Sequence, residues 1–238
     1  METIMLLTVT EVEHYSDTLF RIRTHRPSTF RFSAGEFIML GVDDSVMRAY
    51  SITSGPYDSE LEFYSIKVPN GSLTSKLQHI AVGDQLKASE KSTGSLTLAN
   101  VELGGDLWML ASGTGIAPFI SLLRDPATYD AFDQIYLAWS VRSQQDLAAY
   151  DAFLKESYVQ YIPIVTRDPA YTGETKRITQ LITDGVILTN STPQQNKVML
   201  CGSMPFNKDV KDLLISRGWQ EGTRKAASTF VQEKAFVL

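Results

Sequence analysis

The sequence predicts two domains: a small antiparallel β-barrel or sandwich carrying one helix, then an α/β domain built on a parallel sheet. Three observations predict this. The N-terminal part reads as short strands cut by glycine-rich turns. From about Asp106 strands alternate with helical segments. Between them, Leu103-Gly104-Gly105 breaks the pattern, giving domains at 1–102 and 103–238. A chain of 238 residues has room for both.

In the first domain, Thr18 to Arg23 alternates polar and apolar residues. Glu36 to Gly41 is a short apolar run, and Leu61 to Val68 alternates around Phe63 and Ile66. Turns fall at Ser54-Gly55-Pro56, Pro69-Asn70-Gly71, Val82-Gly83-Asp84 and Thr93-Gly94. One helix is predicted over Ser72 to Ile80, where Leu73, Leu77 and Ile80 fall at helical spacing.

In the second domain, Leu107 to Ala111 is a buried-strand pattern. It runs into Ser112-Gly113-Thr114-Gly115-Ile116-Ala117-Pro118 and then a helix. Gln134 to Ala138 precedes a helical Asp146 to Glu156, and Tyr161 to Val165 precedes Ile178 to Ile182. Lys197 to Leu200 leads into Pro205 to Ser216. Such alternation means a parallel sheet covered on both faces.

Composition narrows the function. Apolar residues make up 43% and charged residues 21%, as in globular proteins. A formal net charge of −5 argues against a general affinity for nucleic acid or an anionic membrane. The one cysteine, Cys201, excludes an intramolecular disulfide and a cysteine-ligated iron–sulfur cluster. His14, His25 and His79 are not spaced as a ligand set, so no metal site is expected. No signal peptide or spanning segment of roughly 18 apolar residues is visible, so a cytoplasmic location is the default expectation. Nothing requires more than a monomer.

Four constellations carry chemistry. Gly113-Thr114-Gly115 lets the backbone approach a pyrophosphate before a helix, although Pro118 stands where the dinucleotide fingerprint has its third glycine. Arg48-Ala49-Tyr50-Ser51 offers a phosphate-binding guanidinium, a flat ring and a hydroxyl. Ser72-Leu73-Thr74-Ser75 gathers amides and hydroxyls after a glycine turn. Cys201-Gly202-Ser203-Met204-Pro205 ends a strand and opens a helix. Each also has a plain structural reading: a tight turn, an ordinary strand, a capped helix, and a buried cysteine acting as a small hydrophobe.

All four in this order resemble the ferredoxin–NADP(H) reductase family, and specifically its short bacterial branch. Leu61 to Gly71 and the tail Val231 to Val237 resemble segments of that branch, so the likeness spans nearly the whole chain. It implies an FAD-binding β-barrel over 1–102 and an NADP(H)-binding α/β domain over 103–238. FAD is then the cofactor and NADP(H) the substrate. Ferredoxin or flavodoxin is the one-electron partner, and hydride transfer occurs at flavin N5.

The likeness also implies residue roles. Arg48 holds the FAD pyrophosphate together with Ser72, Leu73 and Thr74. Ala49, Tyr50, Ser51, Tyr64, Ser65, Ile66 and Lys67 line the flavin. Gly113, Thr114, Gly115, Gly202, Ser203 and Met204 receive the nicotinamide nucleotide, and Arg142, Ser143, Arg167 and Arg177 its 2′-phosphate. Ala235 stands where plastid-type members end in a tyrosine, and Phe236 packs on the adenine of FAD. Tyr50, Ser51, Cys201 and Glu233 are the expected catalytic residues, with Glu233 handling protons. The rival readings are the reductase component of an oxygenase, a non-catalytic flavin electron-transfer subunit, and a two-domain protein with no cofactor.

Overall fold

The computed structural model describes residues 3–43 and 45–234. Two compact units emerge. One takes the described residues up to Gly94 together with Ala117–Asp125. The other takes Ser95–Ile116 and the described residues from Pro126 on.

The first unit is a six-stranded antiparallel sheet of β1 (Ile4–His14), β2 (Leu19–His25), β3 (Phe37–Gly41), β4 (Arg48–Ser51), β5 (Glu60–Ile66) and β6 (Gln85–Ser89). Its order is β4-β3-β6-β1-β2-β5. The two edges meet at an antiparallel bridge between Ile52 and Phe63, where the Thr53 amide donates to the Glu62 carbonyl at 2.8 Å. The sheet is therefore a nearly closed barrel, which removes the exposed edges that a flat sheet would present. Alternate residues point inward, and Leu7, Phe20, Ile22, Ile38, Leu40, Leu61, Phe63 and Leu86 make the core.

The helix expected over Ser72 to Ile80 is shorter in α-helical form: α1 spans Thr74–Leu77. Beyond it the chain tightens into i to i−3 bonds, from the His79 amide to the Lys76 carbonyl (3.0 Å) and from Ile80 to Leu77 (3.2 Å). Asp84 then accepts the Ala81 amide at 2.8 Å and turns the chain into β6. The spacing still does its work, because Leu73, Leu77 and Ile80 are all buried.

The second unit is a parallel sheet of β7 (Asp106–Ser112), β8 (Gln134–Val141), β9 (Gln160–Val165), β10 (Asn196–Gly202) and β11 (Phe230–Lys234), in the order β11-β10-β7-β8-β9. Every residue of β10 is buried, as are the five central residues of β7, so both faces of these strands are covered. The helices are α2 (Ala117–Leu123, counted with the barrel unit), α3 (Pro126–Ala131), α4 (Asp151–Glu156), α5 (Ile178–Thr183) and α6 (Met204–Ser216). The helical stretch expected from Asp146 breaks in two, a 3-10 turn at Gln144–Leu147 and then α4. Trp108, Leu110, Ile164, Val198 and Leu200 pack with Leu181, Val210 and Leu214 of α5 and α6 in one core. No helix among the described residues is long and apolar enough to cross a membrane.

Candidate functional site

On the barrel, the hairpin of β3 and β4 sets Arg48 opposite Leu40 and Tyr50 opposite Ile38. The guanidinium of Arg48 donates to Ser72 Oγ at 3.1 Å and to the Met47 carbonyl at 3.0 Å. Ser72 follows a tight turn in which Asn70 adopts φ 59° and the Gly71 amide donates to the Val68 carbonyl. Thr74 Oγ1 holds that turn, accepting from the Val68 amide and donating to the Val68 carbonyl, both at 3.3 Å. The amides of Ser72, Leu73 and Thr74 donate to no acceptor among the described residues. A cation, a hydroxyl and three available amides thus stand together, the chemistry a pyrophosphate requires.

Tyr50 and Ser65 share a 3.2 Å hydrogen bond that fixes the phenol ring beside β5. Burial raises the Tyr50 pKa, partly offset by this bond, so the ring stays neutral. Tyr64 is buried and stands edge-on to Tyr15 at 6.4 Å. Ile66 pairs with Leu19, and the Lys67 ammonium donates to the Ser16 carbonyl at 2.9 Å. Ala49 and Ser51 are half-buried on β4. The structure therefore brings Arg48 to Ser72 and Tyr50 to Ser65, with Ala49 and Ser51 on β4 and Tyr64 and Ile66 on β5.

On the sheet, the chain goes from β7 outward through β8 and β9, then crosses back to β10 on the other side of β7. The ends of β7 and β10 therefore flank a switch point, where open parallel sheets bind ligands. Gly113 has φ 56°, a left-handed conformation that glycine adopts at low cost. A Cβ on Gly115 would lie 2.2 Å from the Cys201 carbonyl oxygen, and one on Gly202 would lie 2.1 Å from Ser112 Oγ. Only glycine fits at either. Thr114 is half-exposed between them, and Ser203 caps α6, accepting from the Phe206 amide, with Met204 exposed at its first turn.

Cys201 is fully buried, and burial, aided by the nearby Glu233 carboxylate, pushes its thiol well above the usual value. It is a protonated thiol. Glu233 pairs with Cys201 across β10 and β11. Its carboxylate accepts from the Ser95 amide at 2.9 Å and the Ser95 hydroxyl at 3.3 Å. Burial nevertheless raises its pKa against these bonds.

Arg142 and Arg167 follow β8 and β9, joined by the Arg167 amide donating to the Arg142 carbonyl at 2.9 Å. The Val165 amide donates to the Glu174 carbonyl, bringing the segment that ends at Arg177 beside β9. All three arginines are exposed, and none forms an ion pair among the described residues. Ser143 donates its amide to Asp146 at 3.0 Å. Ala235 and Phe236 lie outside the described residues.

Sequence reading missed four residues that shape these sites. Ser112 Oγ accepts the Ser203 amide at 3.2 Å, and the Trp139 indole donates to the Gly113 carbonyl at 2.9 Å. Ser95 holds Glu233, and Asn207 donates to the Glu233 carbonyl at 2.8 Å. Their signal was weak because each lies in another strand, loop or helix than its partner.

A barrel with an arginine–serine cradle and a parallel sheet with a glycine-lined switch point define a flavin-dependent, nicotinamide-nucleotide oxidoreductase. Residues 5–96 match the oxidoreductase FAD-binding domain and residues 109–212 the oxidoreductase NAD-binding domain. The chain belongs to the ferredoxin–NADP reductase family, as its motifs suggested. It is 43% identical to a flavodoxin/ferredoxin–NADP reductase of Rhodobacter capsulatus, covering 97% of this chain and 92% of that one. It is 41% identical to ferredoxin–NADP reductase A of Sorangium cellulosum (strain So ce56), covering 96% and 89%. A crystal structure of a ferredoxin NADP+ reductase from Neisseria gonorrhoeae with bound FAD and NADP superimposes with a TM-score of 0.90 at 29% identity. It covers 98% of this chain and 99% of that one.

Proposed function

We propose that this chain is a ferredoxin–NADP(+) reductase, moving electrons between NADP(H) and ferredoxin or flavodoxin with FAD as cofactor. Bound FAD supplies a two-electron hydride acceptor that releases electrons singly, so one NADPH reduces two carriers and yields NADP+ and a proton. The observation that carries the reading is the cradle made by the Arg48 guanidinium, Ser72 Oγ and the available amides of Ser72, Leu73 and Thr74, which suits the pyrophosphate of FAD.

The two domains read from the sequence have separate tasks. Residues 1–102 bind FAD: Arg48, Ser72, Leu73 and Thr74 hold the pyrophosphate, while Ala49, Tyr50, Ser51, Tyr64, Ser65, Ile66 and Lys67 orient and shield the ring system. Residues 103–238 bind NADP(H): Gly113, Thr114, Gly115, Gly202, Ser203 and Met204 receive the nicotinamide half. Arg142, Ser143, Arg167 and Arg177 take the 2′-phosphate, which suits guanidinium donors. Cys201 packs as a neutral thiol, and Glu233, whose pKa burial raises, is assigned the handling of protons. Ala235 and Phe236 are assigned to the adenine and flavin end of FAD. The net charge of −5 supports a protein without nucleic-acid or anionic-membrane partners. We read it as a cytoplasmic monomer.

The test is the visible spectrum of the purified protein and its uptake of added FAD. Wild type is expected to be yellow with two flavin bands. Arg48→Ala is expected to bind FAD about 10- to 100-fold more weakly, the loss of a charge-assisted contact. A colourless protein that takes up no FAD contradicts the reading.

A further inference from the structure

The loops after β8 and β9 run side by side through two main-chain bonds. The Thr166 amide donates to the Val141 carbonyl at 3.0 Å, and the Arg167 amide to the Arg142 carbonyl at 2.9 Å. Pro169 then removes the next amide but one, and Pro has no N–H with which to continue such a ladder. A side chain takes over. Asp168 Oδ2 accepts the Gln144 amide at 3.2 Å, while its Oδ1 accepts the Ala170 amide at 3.1 Å. The carboxylate therefore spans the loop of Arg142 and Ser143 and the loop of Arg167.

This is an odd place for an acidic residue. Arg142, Arg167 and Arg177 are exposed and without ion pairs among the described residues, and Asp168 pairs with none of them. Its oxygens go to amides instead, charge-assisted bonds that are stronger than neutral ones. The cross-link adds to the Ser143–Asp146 bond in holding the Ser143–Gln144 segment, so less of it has to be ordered, at a cost in conformational entropy, when a ligand binds. A preordered loop avoids that cost.

We propose that Asp168 is a positioning residue whose carboxylate stitches the two loops into one cradle for a nucleotide 2′-phosphate. The inference rests on the reading of the three arginines given above. It predicts that removing a negative charge next to a phosphate site weakens phosphate binding, the opposite of what simple repulsion predicts.

The cross-link can be cut from either side. Asp168→Ala removes the acceptor. Gln144→Pro removes the donor and leaves the charge in place. Gln144 is the first residue of its 3-10 turn, where proline is tolerated, and Ser143 before it is extended (φ −125°, ψ 158°), as a residue preceding proline prefers. Gln144→Ala keeps the amide and serves as control.

Calorimetry with adenosine 2′,5′-bisphosphate and with AMP on the FAD-loaded protein reads the effect independently of electron transfer. Asp168→Ala and Gln144→Pro are each expected to weaken adenosine 2′,5′-bisphosphate about three- to tenfold, with AMP unchanged. The double variant should lose no more than Asp168→Ala alone, because that variant already removes the bond that Gln144→Pro cuts. Gln144→Ala should match wild type, and all variants should keep the wild-type melting temperature within a few degrees. Tighter or unchanged binding of the bisphosphate by Asp168→Ala overturns the inference. So does full additivity in the double variant, which would mean two separate effects. A wild type that binds both nucleotides equally overturns the 2′-phosphate reading itself, and the inference with it.

Discussion

Two glycines, Gly115 and Gly202, decide how closely the ends of β7 and β10 can approach. Gly115→Ala drives a methyl group into the Cys201 carbonyl, a backbone atom that cannot swing aside. The account expects a loss of about 1–3 kcal/mol in chemical denaturation, as for other overpacked sites, together with weaker NADPH binding. A variant as stable as wild type would mean that the strand ends are not pressed together. Glu233 makes a second prediction. Its folded pKa is raised from the ordinary 4.5, so the folded state binds the proton more tightly than the unfolded chain does. Its contribution to stability is therefore full below about pH 4.5 and falls as pH climbs through the raised value. Glu233→Gln should flatten that part of the stability–pH curve, and an unchanged curve would contradict the assignment. The glycines and Arg48 were legible in the sequence because their demands are local. Ser112, Trp139 and Ser95 were not, because their partners are chosen by the way β7, β8, β10 and β11 lie together in the fold.

Helix α2 is held to the barrel of its own unit by side-chain hydrogen bonds. Ser121 donates to the Ser54 carbonyl at 2.7 Å, and Arg124 reaches the Thr53 carbonyl and the buried Glu62, both at 3.2 Å. Glu62 also takes Arg23 at 3.0 Å and lies 3.7 Å from Arg21. Arg124→Ala takes one cation from a carboxylate that is only 3% exposed while others remain. Because Arg124 is itself partly exposed, the expected loss is discounted to about 1–3 kcal/mol in denaturant unfolding, with Arg124→Lys closer to wild type. No loss in either variant would show that α2 does not depend on the Arg124–Glu62 contact. Among the elements, β2, β3, β5 and the strand–helix pairs of the sheet were legible from their periodicity. The first strand was not, since Leu6 faces outward at 55% exposure and a register shift between Val9 and Glu11 puts the alternation out of phase. The last strand was hidden by the buried Glu233 near its end. The helix at Ser72 was overextended because Thr74 binds the preceding turn through its side chain, and hydroxyls of this kind compete with helical bonding.

At the scale of the molecule, each unit carries its own apolar core, one inside the barrel and one on the sheet. The fold class was legible because the two halves differ in rhythm, period-two strands against strand–helix alternation. The grouping of Ala117–Asp125 with the barrel depends instead on contacts between residues far apart in the chain, such as Arg124 with Glu62. The central claim is that the barrel holds FAD and the sheet delivers a hydride from a nucleotide chosen by its 2′-phosphate. The most direct measurement is anaerobic titration of the FAD-loaded protein, first with NADPH and then with NADH, followed in the visible flavin bands. The account predicts bleaching at low NADPH and much slower bleaching with NADH. Equal reduction by both would contradict the role of Arg142, Arg167 and Arg177, and failure of either to bleach the flavin would contradict the proposed activity.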